Sequence, residues 1–110
     1  MLHLQFTEAP RFVRNASKVL SEDEITKLYV YINQNPNIGV VIRNSEGIRK
    51  LRWASSGRGK RGGSRVIYYF AAANERVLLL EIYAKSKKSD LTFAEIAELN
   101  VQLALWLKSL

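Results

Sequence analysis

The sequence predicts a small α+β domain, and three observations carry that expectation. Two helix-spaced apolar segments, each preceded by a capping signal, fill residues 7–35. Three strand-like segments with alternating side chains follow between 48 and 84, joined by glycine-rich or tight links. A last helix-spaced segment closes the chain behind another capping signal. The expected order is β-α-α-β-β-β-α, with an antiparallel sheet and helices on one side. At 110 residues, 47% hydrophobic and 25% charged, the chain supports one core, so a single domain over 1–110 is expected.

Leu2, Leu4 and Phe6 alternate with His3 and Gln5, which reads as a short half-buried strand. Thr7 offers an N-cap and Pro10 fits a first helical turn; Phe12, Val13, Ala16, Val19 and Leu20 then recur at helical spacing. Ser21 and Glu24 form a capping box for a second helix whose apolar stripe is Ile25, Leu28, Tyr29 and Ile32. Asn35-Pro36 ends it, because a residue before proline disfavours the α region. Gly39 and Gly47 mark turns, and Val40-Val41-Ile42 between them either packs or pairs. Strands are expected at about 48–54, 64–72 and 77–84, the last two joined by a turn at Ala73-Asn74-Glu75. In the last strand Leu78, Leu80 and Ile82 are expected inward, and Glu81, Tyr83 and Lys85 outward. Ser89 and Asp90 are cap candidates for the final helix, as is the Thr92/Glu95 capping box. Ile96, Leu99, Leu103, Trp106, Leu107 and Leu110 supply its apolar face.

Charge is concentrated. The chain carries 17 Lys+Arg against 10 Asp+Glu, and window 42–69 alone holds eight of the cations and one anion, Glu46. The remainder is neutral, with nine of each sign, so the basicity is local and suits a polyanionic partner, nucleic acid first. With no cysteine, the chain has no thiolate metal site, disulfide or cysteine nucleophile. No apolar run approaches a bilayer span and the N-terminus lacks signal-peptide character, so a cytoplasmic protein is expected. His3 is the one histidine and reads as a strand residue, so a two-histidine ribonuclease site cannot be built. Carboxylates are scattered, which argues against a metal-dependent nuclease; neither metal nor cofactor is called for. The run Gly57-Arg-Gly-Lys-Arg-Gly-Gly-Ser64 is not a phosphate-binding P-loop, because Arg61 follows Lys60 where Ser or Thr is required.

What remains is cations on strands. Alternation puts Lys50 and Arg52 on one face and Leu51 and Trp53 on the other; Arg65, Ile67 and Tyr69 share a face in the next strand. Neighbouring strands would then gather Lys50, Arg52, Arg65, Tyr69, Tyr83 and Lys85 on an open face, a platform for single-stranded RNA. A merely solvated sheet face is the plainer reading of the same residues. Arg58, Lys60 and Arg61 in the glycine-rich loop would add a phosphate clamp.

The run Gly47-Ile-Arg-Lys-Leu-Arg52 and the following Ser56-Gly-Arg-Gly-Lys-Arg-Gly-Gly-Ser-Arg-Val-Ile-Tyr-Tyr-Phe70 resemble the RelE/ParE superfamily of bacterial toxins, the HigB-like branch most closely. Asn35-Pro36-Asn-Ile-Gly39 and Tyr83-Ala-Lys85-Ser-Lys-Lys88-Ser-Asp-Leu91 fit the same pattern. The resemblance implies a RelE-like fold and the toxin of a type II toxin–antitoxin system, paired with a helix-turn-helix, HigA-like antitoxin. It implies a metal-independent endoribonuclease, an mRNA interferase that enters the ribosomal A site and cuts the mRNA there. By the same resemblance Lys50 and Arg52 activate the ribose 2′-OH and hold the phosphate, while Arg65 stabilises the transition state. A lysine base works where neighbouring cations favour its neutral form, and the cluster supplies such neighbours. Arg49, Arg58, Lys60, Arg61, Tyr69, Lys87 and Lys88 are the expected contacts to message and rRNA. The sequence departs from the family where Ser86 stands in place of an arginine and Thr92 in place of a tyrosine. The leaving-group acid is thus unassigned, with Lys85, Lys87 and Tyr83 as candidates. Two rivals on the same fold are a ParE-like gyrase poison without nuclease activity and a basic RNA-binding module.

Overall fold

A computed structural model of the chain describes residues 3–54 and 63–110. The proposed clamp residues Arg58, Lys60 and Arg61, together with Leu2, lie outside the described residues. In chain order the elements are β1 (Gln5–Glu8), α1 (Pro10–Val19), α2 (Glu22–Gln34), β2 (Val40–Val41), β3 (Arg49–Trp53), β4 (Ser64–Ala71), a 3₁₀ turn (Ala72–Asn74), β5 (Arg76–Ala84) and α3 (Phe93–Lys108). None of these helices is long and apolar enough to cross a membrane.

Both capping boxes form. Glu24 N–H donates to Ser21 Oγ at 3.2 Å and Ser21 N–H to Glu24 Oε1 at 2.8 Å, which starts α2. Thr92 and Glu95 do the same for α3 at 3.1 and 2.8 Å, so the cap of that helix is Thr92 rather than Ser89 or Asp90. Each such cap is worth about 1 kcal/mol. The first strand departs from expectation. His3 and Leu4 donate their N–H groups to Asn33 Oδ1 at 3.1 and 3.0 Å, an anchor on α2 that takes the backbone out of sheet pairing. Pairing starts at Gln5, whose N–H donates to Glu75 O, and Thr7 becomes a strand residue. Ala9 then takes the N-cap position with Pro10 at the first helical turn, without a side-chain cap. In α1 the buried face is Phe12 and Ala16, whereas Val13 is 54% exposed.

The sheet has five strands in the order β1-β5-β4-β3-β2. The expected antiparallel meander is present in β3, β4 and β5, and β2 pairs antiparallel with β3, Val40 opposite Lys50. β1 runs parallel to β5, so the sheet is mixed. Between β4 and β5 the register shifts: Ile67 faces Glu81 but Tyr68 faces Leu79, so Leu80 is an extra, bulged residue. The bulge changes the phase of β5. Val77, Leu79 and Ile82 join Leu51, Val66 and Tyr68 against Phe12, Ala16, Leu28 and Ile32 from α1 and α2. Leu78, Leu80 and Tyr83 join Ile48 and Ile67 against Leu99 and Leu103 from α3. The expected inward set of Leu78, Leu80 and Ile82 is therefore divided between the two faces. Helices cover both sides of the sheet, not one.

Glu81 is buried beside the bulge. Asn15 Nδ2 donates to it at 2.8 Å, Ile82 N–H at 3.0 Å, and Arg11 Nε stands 3.5 Å away. One ladder step away, on the opposite face, the fully buried Tyr68 donates its hydroxyl to Pro36 O at 2.8 Å and accepts Gly39 N–H at 3.0 Å. Glycine is required at 39, because a Cβ there would lie 2.9 Å from both Arg49 Cβ and Tyr68 Cε1.

Candidate active site

Strand register decides which cations meet. Arg52 on β3 lies directly opposite Arg65 on β4, and Arg65 lies directly opposite Tyr83 on β5. The three form one row across three strands, with Cβ atoms about 5 Å apart at each step. Lys50, two residues along from Arg52, shares the same face. Two arginines directly opposite each other cost stability, so the row is a poor choice for folding alone. Lys50, Arg52 and Arg65, with Ile38 and Val40, line a groove of about 400 Å³.

The members differ in burial. Arg52 is exposed and Lys50 partly so, whereas Arg65 and Tyr83 are each only 8% exposed. Arg65 Nη1 donates to Ser64 O at 3.3 Å, which fixes the guanidinium near its own strand. The Tyr83 hydroxyl is buried and has no hydrogen-bond partner among the described residues. Burial, reinforced by the charge of Asp90, pushes its pKa up to about 12, against the opposing pull of Arg65. The hydroxyl therefore keeps its proton throughout the neutral range. A protonated, unpartnered donor next to a guanidinium is suited to meeting negative charge.

The segment after β5 lies over Tyr83 and against Lys50. Lys88 pairs with Glu95 and stands 5.6 Å from the centre of the Tyr83 ring. Lys85 Nζ donates to Ser89 O at 3.2 Å, and Lys50 Nζ pairs with Asp90 Oδ1 at 3.2 Å. Lys87 is exposed on the same segment. Asp90 and Glu95, whose carboxyl pKa values are both lowered, are site residues that sequence reasoning missed. For Asp90 the first cause is the N–H of Leu91; for Glu95 it is the Lys88 ammonium. Asp90 read as a cap, and no local pattern links it to a lysine 40 positions away.

The rest of the predicted set is dispersed. Arg49 turns to the opposite face, where Nη1 donates to Gly39 O at 2.7 Å and Asn37 O at 3.1 Å and Nη2 to Asn37 Oδ1 at 3.2 Å. Tyr69 packs with the α3 cluster, so the face is not an open platform along its whole length; α3 covers the end nearer Ile48, Ile67 and Leu78. Thr92, at the position where the family carries a tyrosine, is occupied as the α3 N-cap. Among the described residues no group of three His, Asp or Glu side chains is placed to hold a metal ion.

The chain superposes on the free-state structure of an arginine-to-alanine double mutant of E. coli toxin RelE with a TM-score of 0.59, covering 86% of this chain and 95% of that one at 16% identity. The fold is RelE-like. A second similar structure is the intact E. coli RelBE toxin–antitoxin complex, matched at a TM-score of 0.55 over 72% of this chain and 93% of the matched chain, with 18% identity. No family model matches the sequence. At these identities the RelE-like assignment concerns the path of the chain, and chemistry rests on the residues just described.

Proposed function

We propose that this chain is the toxin of a type II toxin–antitoxin system, of the HigB-like branch, and a metal-independent endoribonuclease that cleaves mRNA in the ribosomal A site. The observation that carries the reading is the cross-strand row of Arg52, Arg65 and Tyr83 with Lys50 beside it. In the reaction the ribose 2′-oxygen bonds to the adjacent phosphorus and the bond from phosphorus to the 5′-oxygen breaks. The products are a 2′,3′-cyclic phosphate and a 5′-hydroxyl. The 2′-proton passes to a base, and a proton must reach the leaving 5′-oxygen. Arg65 and Arg52 offer guanidinium donors to the phosphate oxygens, where charge builds up in the transition state. Lys50 activates the 2′-OH and holds the phosphate. Tyr83, with its proton retained up to about pH 12, takes the role of leaving-group acid. Lys85, Lys87 and Lys88 supply phosphate contacts on the segment that follows. The partner is a helix-turn-helix antitoxin of the HigA kind, and the site of action is the cytoplasmic ribosome.

The test is to translate a defined message with the purified protein and map the 5′ ends on stalled ribosomes. Cuts within A-site codons, abolished by Arg65→Ala and by the exposed Arg52→Ala, are the expected result. An intact message with arrested DNA supercoiling would replace this reading with a ParE-like gyrase poison.

A further inference from the structure

Lys50 is held by an anion before any substrate arrives. Its ammonium lies 3.2 Å from Asp90 Oδ1, and the same oxygen accepts the N–H of Leu91 at 2.8 Å. The carboxylate is thus aimed by its own backbone at the lysine. Around Lys50 stand Arg52 on the same strand, Ile67 across on β4 and Val40 across on β2, with Lys85 close enough to act on Asp90 electrostatically. Asp90 is therefore the carboxylate seated on Lys50 from a neighbouring groove, which shares Val40 and Lys50 with the groove of Arg52 and Arg65 and adds Arg43 and Thr92. An RNA phosphate would take its place on the lysine. Asp90 is largely exposed and Lys50 partly so, and pairs this open to water are weak, so a phosphate can displace the carboxylate. The same segment reaches Tyr83. Asp90 belongs to the segment that also carries Lys88 over the Tyr83 ring, and the Tyr83 hydroxyl beneath has no partner.

We infer that Asp90 is a positioning residue that stands in for a substrate phosphate on Lys50. It presets the ammonium, and incoming RNA exchanges with it, loosening the segment over Tyr83. The inference rests on the proposed RNA-cleaving function. Asp90→Asn is the informative change, because Asn Oδ1 can still accept the Leu91 N–H while the competing charge is removed.

The measurement is cleavage of a defined message on purified ribosomes, with the half-saturating protein concentration and the saturated rate determined separately. Asp90→Asn should lower the half-saturating concentration about two- to five-fold, the range of an exposed ion pair. Asp90→Glu should restore the wild-type value. In a Lys50→Met background, read as half-saturating binding to the message-loaded ribosome because cleavage is lost, Asp90→Asn should change nothing. An unchanged or raised half-saturating concentration for Asp90→Asn, while Lys50→Met is impaired, overturns the role of Asp90 and leaves the nuclease reading intact. A gain that persists without Lys50 overturns it too, since the effect is then one of general charge. Absence of cleavage by the wild-type protein refutes both readings.

Discussion

Replacing Tyr83 by phenylalanine should make the protein more stable and less active. The hydroxyl is buried without a partner, and an unsatisfied polar group in such a place costs about 1–3 kcal/mol. Phe keeps the ring within the α3-side cluster and beneath the Lys88 ammonium, so little contact is lost. A net gain of about 1 kcal/mol, set against an unfolding entropy of about 2.1 cal/mol/K per residue, raises Tm by roughly 4 °C. Alkali gives an independent check. The native hydroxyl holds its proton up to about pH 12, above the tyrosine value of 10.0. The unfolded state therefore ionises first, and the stabilisation tied to this proton is complete below pH 10 and lost as pH rises towards 12. Denaturant unfolding between pH 9 and 12 should show a steeper loss for wild type than for Tyr83→Phe. On ribosomes the variant should cleave about 10²–10⁴-fold more slowly, the contribution of a general acid. Calorimetry, denaturant unfolding and single-turnover cleavage measure the three effects. A variant less stable by 1 kcal/mol would refute the reasoning, because the hydroxyl would then be satisfied in the native state.

Arg52→Ala removes an exposed member of a like-charged facing pair, so Tm should hold or rise by about a degree while cleavage falls about 10²-fold or more; equal activity would remove Arg52 from the site. Gly39→Ala should cost about 1–3 kcal/mol in denaturant unfolding, since the new methyl meets Arg49 and Tyr68 at 2.9 Å. Glu75→Gly should stabilise by about 0.5–1 kcal/mol, because Glu75 closes the turn before β5 in the left-handed region at φ 53°; a lower Tm would show that its side chain matters more than its backbone.

Local signals were legible. Both capping boxes sit where Ser21/Glu24 and Thr92/Glu95 announce them, because each is closed by residues three apart. The cation alternation on β3 and β4 was equally readable, since side-chain direction follows from period 2 alone. What escaped depends on distant partners. Nothing near His3 indicates that Asn33 will take its N–H, and nothing near Lys50 indicates Asp90. β2 was undecided because its two residues are exposed edge valines, Val40 at 70%, whose pairing is set by β3. The placement of α3 on the cation-bearing face was missed through the bulge, which hides Leu78 and Leu80 from an unbroken alternation.

The extra residue at Leu80 adds one buried side chain to the α3 face of β5 while the ladder to β4 resumes directly after it. Downstream of it Ile82 faces the helical pair and Tyr83 faces Arg65. Deleting that one leucine would leave Ile67–Glu81, Val66–Ile82 and Arg65–Tyr83 paired as an unbroken ladder, with Tyr83 still opposite Arg65. Substitutions at position 80 should be tolerated wherever they fill the same apolar space, and what a deletion loses is the buried Leu80 side chain in the cluster with Leu99 and Leu103. The bulge thus serves the seating of α3 on the sheet, and the arginine row is aligned without it.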